Sequence, residues 1–204
     1  MDNLFAELFE QALQSSWLEV VAVLFSLLYP WLAARQNILC WPAALVSTGL
    51  YTVIFWEVSL PFNSFLNFYY LMMAVYGWIK WHKGSDDKEL EVTVVPLIFH
   101  VFAISALIIS GIALPHLVTL SWQGSDLYLD ALVTVFSVYT TYLMANKVLE
   151  NWLFWIVINS FAAYLYFSNG LFLTGVMFLW YFGLAIYGYL KWYKDYTNSQ
   201  SKIA

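Results

Sequence analysis

AVYGWIKW (residues 74–81) and AIYGYLKW (residues 185–192) are near copies of each other, 111 residues apart, and each closes a long apolar run. Sliding the sequence by that distance aligns 17–81 with 128–192 without a gap. Leu18 meets Leu129, Phe25 and Ser26 meet Phe136 and Ser137, Leu32 meets Leu143, and Ala34 meets Ala145. Trp41 meets Trp152, Leu60 meets Leu171, and Tyr70 meets Tyr181. The closing match sets Ala74, Tyr76, Gly77, Lys80 and Trp81 against Ala185, Tyr187, Gly188, Lys191 and Trp192. Glu19 faces Asp130, a conservative pair. Shared apolar composition would align some Leu and Ala by chance, but not Trp, Tyr-Gly and Lys-Trp in one register. The chain is a duplication.

Composition chooses the solvent. Hydrophobic residues make up 62% of the chain, aromatics 21% and charged residues 10%, with a mean hydropathy of +0.70. Soluble domains carry about 25% charged residues. A chain this poor in charge cannot cover a water-facing surface, so most of it faces lipid. The net charge of −5 comes mainly from tails and loops. No basic face is offered to nucleic acid. The single Cys40 cannot form an internal disulfide, and no Cys/His spacing suggests a metal or cofactor. Residues 1–16 hold Asp2, Glu7 and Glu10 but no Lys or Arg, which is unlike a cleavable signal. There Leu4, Phe5, Leu8, Phe9 and Leu13 are spaced like an amphipathic helix lying at the membrane interface.

About 20 apolar residues cross a bilayer as a helix, the conformation that satisfies its own backbone in lipid. The sequence predicts seven spans, at 17–34, 38–56, 62–81, 92–114, 127–146, 150–168 and 171–192. With that number of crossings Arg35, Lys80, Lys83, Lys88, Lys147, Lys191, Lys194 and Lys202 all fall on one side. These are all 8 basic residues of the chain. Positive charge marks the cytoplasmic side, so the N-terminus is expected outside and the C-terminus in the cytoplasm. One span more or fewer would scatter the charges.

The expected organisation follows. After the N-terminal segment 1–16 comes a first three-helix repeat at 17–81, a cytoplasmic linker at 82–91 and a linker helix at 92–114. An external loop at 115–127, a second repeat at 128–192 and a cytoplasmic tail at 193–204 complete the chain. Three crossings alone would leave the second unit inverted; the linker helix restores its orientation. Parallel repeats about an axis along the membrane normal are a transporter design, with substrate held near the midplane. Duplication for folding stability alone is the other reading.

Polar residues inside a membrane are costly, so their spacing informs. In the third span Asn63, Asn67 and Tyr70 share one helix face, and in the sixth Trp152, Trp155 and Asn159 do. Their repeat mates are Thr174, Phe178 and Tyr181 for the third span, and Trp41, Ala44 and Thr48 for the sixth. Aromatic planes with a few amides suit a flat polar ring, and their π-faces favour one carrying positive charge. Alternatively the Asn side chains tie helices together, while Trp41, Trp152, Trp81 and Trp192 anchor at the membrane interface. Trp81 and Trp192, each beside a Lys, are expected to be such anchors. Glu19 and Asp130 stand at span margins, where they could couple protons, attract cations or simply be solvated.

Catalysis and ion conduction find less support. His82, His100 and His116 lie at loops or a span end, and no G-x-S-x-G setting or paired-histidine metal spacing is present. Charged rings and a filter-like loop are missing as well.

WLAARQNILCWPAALVSTGLYTVIFW (residues 31–56), the YGW-x-x-W ending of the third span and ENWLFWIVIN (residues 150–159) resemble the PnuC family of bacterial vitamin-precursor transporters. The resemblance runs from about Trp17 to Trp192, and ENW-x-x-W-x-x-x-N is its most specific element. It implies a SWEET-like fold of two three-helix bundles joined by a linker helix, in the bacterial inner membrane. It also implies facilitated diffusion of nicotinamide riboside, no enzymatic step, and a homo-oligomer, a trimer. Trp152, Trp155 and Asn159 match the family's motif. Where many members have Gln, this chain has Asn67, before Tyr69 and Tyr70. A sister group, PnuT, carries thiamine, another cationic heteroaromatic of similar size.

Overall fold

A computed structural model describes residues 17–57, 61–84, 90–117, 127–168 and 172–203. The expected interfacial helix at 1–16 lies outside them. The described residues form seven helices: α1 (Trp17–Ala34), α2 (Cys40–Glu57), α3 (Pro61–Lys83), α4 (Leu97–Leu117), α5 (Leu127–Ala145), α6 (Asn151–Ser168) and α7 (Phe172–Ile203). By length and apolarity α1, α4 and α5 qualify outright as membrane spans. The others carry the Asn, Tyr and Trp stripes that lower their mean hydropathy.

The chain divides into two compact units, Met1–His82 and Lys83–Ala204. In the first, α1 packs on α2; in the second, α4 packs on α5, α5 on α6 and α6 on α7. The linker helix α4 thus belongs to the second unit.

The α1–α2 connection and the α5–α6 connection are built bond for bond alike. Arg35 N–H donates to the Leu32 carbonyl, Gln36 to Ala33, Asn37 to Leu32, Cys40 to Asn37 and Trp41 to Ile38. In the second unit Asn146 donates to Leu143, Lys147 to Met144, Val148 to Leu143, Asn151 to Val148 and Trp152 to Leu149. Every donor and acceptor is displaced by the sequence repeat. Gln36 (φ 55°) and Lys147 (φ 51°) occupy the left-handed region at the matching position. These are helix-terminating turns made without glycine.

Two helix boundaries differ from the expected spans by five residues or more. The linker helix begins at Leu97 rather than 92. Val92 to Val95 is a β-branched run ending before Pro96, and a residue before proline is held out of the helical region. Thr93 instead bridges to Val148, its N–H donating to the Lys147 carbonyl (3.0 Å) and its carbonyl accepting from Leu149 (2.8 Å). The seventh helix runs on to Ile203, past the end expected for its span at 192. Residues 193–203 contain no Gly or Pro to stop it.

Hydroxyls inside the helices are satisfied locally, as apolar surroundings require. Thr48 and Thr52 Oγ1 donate to the Ala44 and Thr48 carbonyls, both at 2.7 Å. Ser64 Oγ reaches across to the Thr52 carbonyl at 2.7 Å and ties α3 to α2.

Candidate functional site

Three of the expected site residues, Trp152, Trp155 and Asn159, lie on α6. Asn159 is buried, only 5% exposed, and no hydrogen bond to its amide is found among the described residues. Trp155, one turn nearer the α6 N-terminus, is half-buried. On α7, Tyr181 meets Phe178 edge-on with ring centroids 5.8 Å apart, and Phe178 stacks on Tyr166 of α6 at 5.1 Å. Thr174 is half-buried on the same helix. These aromatic planes and the Asn159 amide all lie within the second unit.

In the first unit Asn67 and Tyr70 are half-buried on α3, each already engaged with a partner, and the Tyr69 and Tyr70 rings lie 5.7 Å apart. The Thr48 hydroxyl is taken up by its own helix, as above. The Asn63 side chain lies outside the described residues.

Trp41 and Trp152 behave differently from ring-stacking ligands. They are 1% and 2% exposed. Trp152 packs its ring system against Gly188 and stands nearly perpendicular to Trp192, and Trp41 does the same with Gly77 and Trp81. Neither indole offers a free face. Among the described residues both indole N–H groups are buried without a partner, at the same repeat position. Trp81 and Trp192, expected as interface anchors, are 7% and 0% exposed and belong to the bundle interiors. The glycines at Gly77 and Gly188 leave the space that the Trp41 and Trp152 rings fill.

A polar cluster that sequence spacing did not disclose sits at the start of α6. Glu150 Oε1 accepts from the Val95 N–H (3.1 Å) and stands 3.6 Å from His100 Nε2 on α4. His100 is buried and leans on Phe154, centroids 5.6 Å apart. Their separation in sequence hides the pair; only the Glu of ENW marks it. Beside it a cleft of ≈ 530 Å³ between α4 and α5 is lined by Thr93, Phe99, Phe102, Tyr139, Tyr142 and Asn146, among others. None of the expected site residues lines it.

Apolar helices, almost no charge and buried amide and aromatic stripes define an α-helical membrane protein built around polar positions. Residues 16–194 match the family model described as nicotinamide mononucleotide transporter. The chain belongs to this family, the PnuC family of vitamin-precursor transporters that its motifs resemble. Nicotinamide riboside transporter PnuC of Escherichia coli (strain K12) is 23% identical, over 87% of this chain and 85% of that protein. Nicotinamide riboside transporter PnuC of Neisseria mucosa is 28% identical, over 88% and 73%. Riboflavin/roseoflavin transporter RibM of Streptomyces davaonensis is 25% identical, over 87% and 84%. A crystal structure of the vitamin B3 transporter PnuC superimposes with a TM-score of 0.72 at 23% identity, covering 96% of this chain and 88% of that one. The fold is therefore shared.

Proposed function

We propose that this chain takes up a cationic heteroaromatic vitamin precursor, nicotinamide riboside, across the bacterial inner membrane. Transport is by facilitated diffusion with alternating access, without ATP and without an obligatory ion. The observation that carries the reading is Asn159, a residue only 5% exposed whose amide has no hydrogen bond among the described residues, on the α6 face that also bears Trp155. Family membership supports the solute class.

In this account Asn159 and Asn67 hydrogen-bond the solute's amide and hydroxyl groups, with Asn63 and Thr48 on the same faces as further polar contacts. Trp155, Tyr70 and Tyr181 supply ring faces. Trp41 and Trp152 seat the helices that carry these groups. The proposed architecture has seven crossings in two parallel three-helix repeats joined by α4, SWEET-like, with the N-terminus outside, and a homotrimer in lipid. Thiamine is the second candidate, on the Asn67 that replaces the family's common Gln.

Titrating purified protein with nicotinamide riboside and thiamine, followed by tryptophan fluorescence, tests the assignment. Asn159→Leu is expected to weaken nicotinamide riboside by about 1–3 kcal/mol, the cost of removing one buried hydrogen-bonding group. Undiminished affinity in the variant would remove Asn159 from the site. Tighter binding of thiamine would change the solute.

A further inference from the structure

We propose that Glu150 is a positioning residue for solute binding: it clamps the head of α6 to the segment leading into α4, and so holds the Asn159 amide at its angle to the solute. The inference rests on the carrier reading above and adds a residue that acts on the solute only through Asn159.

Glu150 caps α6, its carbonyl accepting from the Leu153 N–H (3.0 Å) and the Phe154 N–H (3.2 Å). Its side chain goes to another element. Oε1 accepts from the Val95 N–H (3.1 Å) and stands 3.6 Å from His100 Nε2. One turn on, Phe154 sits among three rings of α4 and α5. His100 and Tyr139 are each 5.6 Å away between centroids, Tyr139 nearly perpendicular, and Phe136 is at 6.3 Å. Phe154 points about 100–140° away from Trp155 and Asn159 around the helix. The clamp therefore grips the back of the helix whose front carries the expected site.

The grip is costly. Among the described residues His100 Nδ1 and Nε2 and Glu150 Oε2 are buried without a hydrogen bond, and polar groups left so weaken a fold. The first unit does without it: the repeat mates of Glu150 and Phe154 are Leu39, which is exposed, and Ala43. It also lacks the amide, since Thr48 stands where α6 has Asn159, its hydroxyl donating to the Ala44 carbonyl. The two units thus share the Trp and Gly positions and differ in clamp and amide together. A costly tie found only on the helix that bears the amide follows from the amide's need for direction, because a hydrogen bond weakens steeply as its angle closes.

The test is a double-mutant cycle. Nicotinamide riboside is titrated, by tryptophan fluorescence, against the purified full-length wild type, Glu150→Leu, Asn159→Leu and the double variant. The midpoint gives the affinity of the folded fraction alone. Glu150→Leu should weaken binding about three- to thirtyfold, the range for residues that act on a site without touching its ligand. In the Asn159→Leu background the same change should cost about twofold or less, as far as independent sites depart from additivity. Glu150→Gln, which keeps an acceptor for Val95, should restore most of the affinity. Where Glu150→Leu does not fold, Phe154→Leu trims the same clamp and takes its place in the cycle. Undiminished affinity in the clamp variant, or equal losses in both backgrounds, overturns the positioning role and leaves the carrier reading intact. Wild-type protein that does not bind the solute overturns the carrier reading, and the positioning role with it.

Discussion

Trp152 and Trp192 meet in a T-shaped pair with ring centroids 5.4 Å apart and planes at 87°, and Trp41 and Trp81 do so at 5.3 Å and 88°. The same lock is therefore made in each unit by residues 111 positions apart in sequence. The repeated Tyr-Gly and Lys-Trp ending is one half of it, and the Trp at the head of α2 or α6 is the other. Glycine is needed because the indole lies where a side chain would begin.

That lock sets a first expectation. A Cβ at Gly188 would stand 2.6 Å from the Trp152 indole, and one at Gly77 would collide with Trp41. Gly77→Ala and Gly188→Ala should each destabilise by about 1–3 kcal/mol, the usual cost of overpacking. Gly183 on α7 has nothing within 4 Å of its added Cβ. Gly183→Ala should be neutral, or stabilising by up to about 1 kcal/mol through helix propensity. Thermal unfolding in detergent ranks the three. A Gly188→Ala protein as robust as Gly183→Ala would contradict the lock.

The left-handed residues at Gln36 and Lys147 give a second. Branched side chains tolerate positive φ worst, and glycine adopts it without steric cost. Gln36→Val and Lys147→Val should each destabilise by roughly 1–2 kcal/mol, while Gln36→Gly should match or exceed wild type. Unfolding midpoints decide it. Equal stability of the Val and Gly variants at position 36 would deny the strained turn.

Glu150 furnishes a third. Its carboxylate is the acceptor for Val95 N–H and the neighbour of buried His100. Glu150→Leu leaves both without that partner and should cost about 1–3 kcal/mol in stability. Glu150→Gln keeps an acceptor oxygen and should lose less. Leu and Gln variants of equal stability would show that the carboxylate does not hold the start of α4.

The sequence read well wherever identity recurred at a fixed distance. Trp41 with Trp152, and Gly77 with Gly188, declared a duplicated unit before any coordinates, and the two matching connections have the same hydrogen bonds. Periodicity found the helices because apolar runs are long. It misplaced the start of α4 because hydropathy does not distinguish Val92 to Val95 as strand from helix; Pro96 was the missed signal. Lys-Trp at a helix end suggested interface anchors, yet Trp81 and Trp192 turn inward onto Trp41 and Trp152, partners that lie on other helices and that no local spacing reveals. His100 lies in α4 and Glu150 just before α6, and no local spacing reveals the pair.

Counterflow in proteoliposomes tests the transport account most directly. Vesicles preloaded with unlabelled nicotinamide riboside, without ATP or any ion gradient, should accumulate the labelled solute transiently in wild-type protein. Asn159→Leu should slow that accumulation at limiting solute. Labelled uptake that appears only under an imposed proton or sodium gradient, or none with this solute at all, would contradict facilitated diffusion of nicotinamide riboside by this chain.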